Sequence, residues 1–174
     1  MKLLKYLLKH KHFSPFEHAY LTMEITTTRA IAAQILRHRS FVFQEFSQRY
    51  AEAVEYLPAE ARKQDLKNRQ NSTNDLDEDT QAWFYAAQLS NWENAKRLYD
   101  VALRKGVAKE CARMILPLNT KTVIYMTGSA RSWIHYCELR ASNGTQKEHM
   151  DIALACKQIL VEQLPAVAEA LDWK

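Results

Sequence analysis

This chain is short of several residues that mark common chemistries. Three glycines in 174 residues leave no glycine-rich dinucleotide fingerprint or phosphate-cradling loop, both of which need several glycines in one turn. Three cysteines, Cys111, Cys137 and Cys156, are odd in number and lack metal-ligand spacing. A disulfide scaffold is therefore not expected, no metal is expected, and a reducing cytoplasm is the better setting. No apolar run is long enough to cross a bilayer, so no membrane partner is expected. Residues 1–10 resemble the opening of a leader peptide, but Lys5 and Lys9 break the apolar run and no small-residue cleavage site follows. Leu3, Leu4, Leu7 and Leu8 instead mark one face of a short amphipathic helix. An apolar fraction of 47% excludes a mostly disordered chain, and a net charge of +4 favours anionic ligands without demanding nucleic acid.

The length suits one domain over residues 1–174. Residues 14–17 (Ser-Pro-Phe-Glu) have capping-box spacing. Residues 20–27 alternate, with Leu21, Met23 and Ile25 on one face, and read as a strand. Helical spacing over residues 29–38 ends at a basic motif. Residues 58–74 are polar and predict a mobile or disordered loop, with Asn71, Ser72, Thr73 and Asn74 supplying a loop and a helix N-cap. One long helix, whole or broken, is expected over residues 73–105, with Trp83, Ala87, Leu98, Val101 and Ala102 as its buried stripe and Gly106 as its C-cap. A short helix over residues 108–115 stops at Pro117, and residues 120–126 read as a second strand. Ser129 can cap a helix through Arg140, and Thr145 a final helix to about residue 164, ahead of Pro165. Few strands among many helices, without βαβ alternation, predict an α+β fold: a few-stranded sheet packed with several helices, one of them long.

Residues 37–50 carry the strongest chemical signal. Arg37, His38, Arg39, Glu45 and Arg49 are interleaved with Phe41, Phe43, Phe46 and Tyr50. Guanidiniums suit phosphates, and a carboxylate can order them or accept from a base or ribose, so an anionic, ring-bearing ligand such as a nucleotide is indicated. Gln34 and Arg37 share a helix face, although basic residues at a helix C-terminus can simply answer its dipole. Arg131 and His135 also share a face, with Arg131 in a first turn where an anion is favoured. The alternative is an ordinary surface pair. Arg140 cannot act as a base at neutral pH but can stabilise a forming anion. Ser47 lacks an adjacent base and is a phosphate ligand rather than a nucleophile. Phe41, Phe43 and Phe46 are expected to pack the core.

Several motifs in order carry a further resemblance. Arg-His-Arg at 37–39, then Glu45, Ser47, Arg49 and Tyr50, is similar to the signature of the flavin-dependent thymidylate synthases, the thymidylate synthase-complementing proteins. So are residues 10–18 (His-Lys-His-Phe-Ser-Pro-Phe-Glu-His), residues 112–117 (Ala-Arg-Met-Ile-Leu-Pro), residues 127–132 (Thr-Gly-Ser-Ala-Arg-Ser), Leu139-Arg140 and residues 146–148. The resemblance covers nearly the whole chain except its middle. It implies reductive methylation of dUMP to dTMP, with methylenetetrahydrofolate as carbon donor and FAD reduced by NADPH, in a homotetramer whose sites form where subunits meet. It implies a dUMP site of Gln34, Arg37, Glu45, Phe46, Ser47, Gln48, Arg49, Arg113 and Arg140, with Arg113 on the phosphate and Arg140 as the catalytic group that polarises uracil. For FAD it implies Ser14, Arg37, His38, Arg39, Glu45, Ser129, Ala130, Arg131 and His135; His12 is a candidate for ordering solvent or folate. None of the cysteines has the setting of a nucleophile, which fits activation of the pyrimidine by electrostatics rather than by covalent addition. Two departures stand out: the family's additional N-terminal segment is expected to be missing, and Val42 and Gln44 replace a common serine and asparagine. Two other readings follow from the residues: a defective homologue that binds nucleotide without a complete flavin site, and a small RNA-binding module built on residues 37–50.

Overall fold

Alternation with a period of two builds the sheet. In β1 (Tyr20–Thr28) Met23, Ile25 and Thr27 are buried, and in β5 (Lys121–Ser129) Thr122, Ile124 and Met126 are buried. With β2 (Val42–Glu45) these strands form a three-stranded sheet in the order β1-β5-β2. The computed structural model describes every residue except Met1, Val54, Asn143 and Lys174. Among the described residues there are seven α-helices and two 3-10 turns, and the fold is α+β as expected. The chain divides into two compact units, one of Met1–Met23, His38–Phe43 and Tyr125–Lys174, the other of Glu24–Arg37 and Gln44–Ile124.

In the first unit, α5 (Ala130–Arg140) starts where the sequence predicts. Ser129 adopts extended backbone and its Oγ accepts from Ser132 N–H at 3.3 Å. Trp133, Tyr136 and Cys137 on α5 are fully buried, as is Ala153 on α6 (Lys147–Gln163). Ala130 and Ile134 join Phe16 in a cluster covered by Leu4, Leu7 and Leu8 of α1 (Lys2–Lys9) and by Val167 of α7 (Pro165–Ala170). Leu3 does not share that face; it is 67% exposed. The Phe41 ring lies so close to Gly128 of β5 that a Cβ built there would overlap it, and it packs edge-on to Trp133, 4.8 Å between centroids.

The capping box at residues 14–17 does not form. These residues make a 3-10 turn (Ser14–Glu17) with no side-chain cap. The Glu17 carboxylate goes to Ser129 and Arg131 instead. Thr145 does not cap α6 either; Gln146 holds that position without a side-chain cap bond, and Pro165 opens α7 rather than ending the helical region.

The second unit holds α2 (Arg29–Ile35), which Thr28 caps through Ile31 N–H and which ends short of Arg37. Its long helix α3 (Glu78–Arg104) is capped by Asp77, not by residues 71–74. Gly106 follows it in the left-handed region at φ +82°. The buried stripe is Trp92, Ala95 and Tyr99, whereas Trp83 is 67% exposed and Leu98 40%. Several α3 faces carry apolar residues, so periodicity alone picks the wrong one; the stacking of Tyr56 on Trp92, 5.4 Å between centroids, marks the face that is covered. The stretch expected to be disordered contains an antiparallel pairing of β3 (Lys63–Gln64) with β4 (Ser72–Thr73). Asp65 closes the turn by accepting from the Lys67 and Asn68 N–H groups. α4 (Lys109–Ala112) and a 3-10 turn (Arg113–Ile115) precede Pro117. Among the described residues no helix is long and apolar enough to cross a membrane.

Candidate active site

The first turn of α5 opens into a cavity of about 530 Å³ in the first unit, within the range of about 300–1,000 Å³ typical of ligand clefts. Ser129, Arg131 and His135, three of the side chains expected at FAD, line it together with the Phe13 and Tyr20 rings. Arg131 is exposed in the first turn of α5, where the helix dipole favours an anion. Its Nη1 donates to Glu17 at 2.7 Å, and Ser129 Oγ donates to the other Glu17 oxygen at 2.7 Å. The Ser129 hydroxyl and then Arg131 hold the Glu17 carboxyl below its ordinary pKa. Aromatic walls beside a cation and a helix N-terminus suit a cofactor that has both rings and phosphates, so these residues fit a flavin dinucleotide. Ser14 is exposed on the neighbouring 3-10 turn and Arg39 is exposed beyond α2, while the Ala130 side chain belongs to the core and its N–H is given to Ala19 O at 2.7 Å.

At the other end of α5, the Arg140 Nε–H donates to His38 Nε2 at 3.0 Å. That nitrogen must therefore be the acceptor, which places the ring proton on Nδ1 and leaves the imidazole neutral. Burial, then Arg140, then His135 lower the His38 pKa to about 4. Behind His38 lies His149, fully buried on α6, whose Nε2 is 3.1 Å from the Tyr136 hydroxyl. Burial, with Arg140 and His38, lowers its pKa to about 4 as well. Among the described residues no carboxylate pairs with Arg140. A half-buried guanidinium bonded through Nε to a neutral imidazole keeps its charge uncompensated, as stabilising a developing anion requires. The nearby thiols are no substitute: burial pushes both Cys137 and Cys156 up to about 12.

In the second unit, Gln48 and Arg113 of the expected nucleotide set line a hollow of about 190 Å³ together with Arg29. Gln48 is 4% exposed and, among the described residues, its Nε2 has no hydrogen-bond partner. A buried amide donor that lines one hollow with two guanidiniums is the donor set of an oxyanion site. Arg29 Nη1 donates to Glu45 Oε1 at 2.6 Å and Thr122 Oγ1 donates to the same oxygen at 3.0 Å. Arg113 Nε is anchored on Glu110 O at 3.2 Å, and Arg49 Nε on the Glu110 carboxylate at 3.1 Å. Ser47 and Gln34 are half-buried and Arg37 is exposed. Phe46 is 39% exposed and so is not core, unlike Phe41 at 7%.

Arg29 and His149 escaped the sequence reading, although each left a trace. Arg29 opens α2, where the dipole disfavours a cation, so an acidic partner such as Glu45 is implied. His149 shares its helical face with Ala153, Cys156 and Leu160, all buried; a histidine on such a stripe has to find a partner inside.

The family model of the thymidylate synthase complementing protein matches residues 1–166. The chain belongs to that family. It is 58% identical over 172 residues to a probable flavin-dependent thymidylate synthase of Paramecium bursaria Chlorella virus 1, covering 98% of this chain and 80% of the viral protein. It is 59% identical over 172 residues to the flavin-dependent thymidylate synthase of Synechocystis sp., covering 99% of this chain and 80% of the relative. Among solved structures it resembles a UMP/dUMP methylase, PolB, from Streptomyces cacaoi bound with 5-Br dUMP. That likeness has a TM-score of 0.87 at 27% identity and covers 98% of this chain and 78% of the other.

Proposed function

We propose that this chain is a flavin-dependent thymidylate synthase that methylates dUMP to dTMP, with methylenetetrahydrofolate as the carbon donor and NADPH as the source of electrons for FAD. The observation that carries the reading is Arg140, which has no carboxylate partner among the described residues and is held through Nε by a neutral His38. That arrangement leaves both Nη groups for an anionic partner. Arg140 stabilises the negative charge that develops on the uracil ring, as a preorganised cation does best where water is scarce. Arg113, Arg29 and the Gln48 amide form an oxyanion set suited to a phosphate, with Ser47 and Arg49 flanking Gln48 in sequence. Glu45, already fixed by Arg29 and Thr122, keeps Oε2 for the ligand.

Arg131, His135 and Ser129 hold the flavin, which when bound supplies the reducing equivalents. Raised cysteine pKa values favour electrostatic over covalent activation of the pyrimidine. The defective-homologue reading finds no support, since the relatives at 58% and 59% identity are named as flavin-dependent synthases. The test is an absorption spectrum of the protein with added FAD, with and without dUMP. A bound-flavin spectrum that dUMP perturbs is expected, together with loss of turnover but retention of FAD in Arg140→Ala. Absence of flavin binding under every condition would overturn the proposal.

A further inference from the structure

The residues immediately around Arg140 are accounted for by ligand binding, but the buried pair behind them is not. His149 is fully buried and does not line the α5 cavity. His38, by contrast, sits in a connection beyond the end of α2 and has no helix of its own to orient its ring. Its orientation comes from its neighbours. The Tyr136 ring meets it edge-on at 5.0 Å and 82°, and the His149 ring meets it edge-on at 6.1 Å and 87°. The bond between His149 Nε2 and the Tyr136 hydroxyl ties these two rings to each other.

We infer that His149 is a positioning residue for the reaction: joined to Tyr136, it fixes the His38 ring so that Nε2 faces Arg140 Nε and aims the guanidinium. The inference rests on the synthase reading for the role given to Arg140. A pair of apolar side chains would fill the same space without burying two polar groups, and replacing both partners of a buried hydrogen bond is often close to neutral for stability. What an apolar pair would lose is direction, because a hydrogen bond fixes ring rotation where dispersion does not. Both imidazoles are neutral, so no charge on either one opposes Arg140.

The test compares the FAD-loaded parent with His149→Gln, His149→Leu and the double variant Tyr136→Phe/His149→Leu. Each is measured for melting temperature, bound FAD and dTMP formed per bound FAD. His149→Leu should lose turnover per bound FAD by about 10–100-fold, the worth of the hydrogen bond to a charged group that it aims. His149→Gln, which can still reach the Tyr136 hydroxyl, should recover most of it. The double variant should recover part of the melting temperature lost in His149→Leu while turnover stays low. If turnover in the double variant recovers along with its stability, or never falls in His149→Leu, His149 is only a packing residue and the inference is wrong. A parent protein that binds FAD but forms no dTMP would instead remove the synthase reading, and the positioning role with it.

Discussion

His38 and His149 are imidazoles kept neutral inside the protein, and this has a consequence in solution. Their folded pKa values near 4 lie below the ordinary 6.5, so the unfolded chain binds more protons than the folded one between those limits. Stability is fully present above about pH 6.5 and is lost as pH falls toward about 4. Thermal melts should therefore drop steeply over that window, and His149→Leu should flatten the drop although it melts lower at neutral pH. A parallel decline in both proteins would show that other groups control the acid limb. At this scale the sequence revealed the arginines but not their partners. Arg140 reads as a helix-terminal cation because the residue that holds its Nε is more than a hundred positions earlier in the chain. Arg29 reads as an unremarkable helix residue until its 2.6 Å bond to Glu45 is seen.

At the scale of elements, local chemistry was a partial guide: the capping box at residues 14–17 and the caps at Thr145 and residues 71–74 do not form, whereas other short-range signals hold. Ser129 capping α5, the alternation of β1, the strand reading at β5 and the glycine after α3 all rest on signals within a few residues of each other. Where the outcome depended on what covers a surface, the sequence misled, as with the stripe of α3 and the side chain of Leu3. The β3–β4 hairpin was hidden because its strands are two residues each and rest on the turn at Asp65 rather than on an apolar pattern. Ser129 joins two of these links, since its Oγ accepts from the helix and donates to Glu17. Ser129→Ala should destabilise the fold by about 1–2 kcal/mol through loss of the cap, read as a lower urea midpoint. Glu17→Gln leaves the cap in place and should shift that midpoint much less. Equal shifts would mean that the cap contributes little.

For the whole molecule, the ligand residues are distributed between two compact units. The phosphate set, Arg29, Gln48 and Arg113, belongs to one, and the flavin set, Ser129, Arg131 and His135, to the other. Titrations with each ligand should separate them. Arg113→Ala should weaken dUMP by about 10–100-fold, the worth of a charge-assisted hydrogen bond, with FAD affinity retained. Arg131→Ala should weaken FAD with less effect on dUMP binding to the FAD-saturated protein. Loss of both ligands in both variants would contradict the division. The homotetramer that the family resemblance implies has its own test: light scattering should return four chain masses, and a monomer would refute it.

The close approach of Phe41 to Gly128 constrains the protein's history as well as its packing. Only one of the two positions can carry bulk. A side chain at 128 is admissible only on a background that has already given up the ring at 41, while a smaller residue at 41 is tolerable first, at the cost of a cavity. The order of the two changes is therefore fixed: any lineage that reverses the arrangement must pass through the loosened intermediate, with the wall beside Trp133 and Tyr136 temporarily thinned.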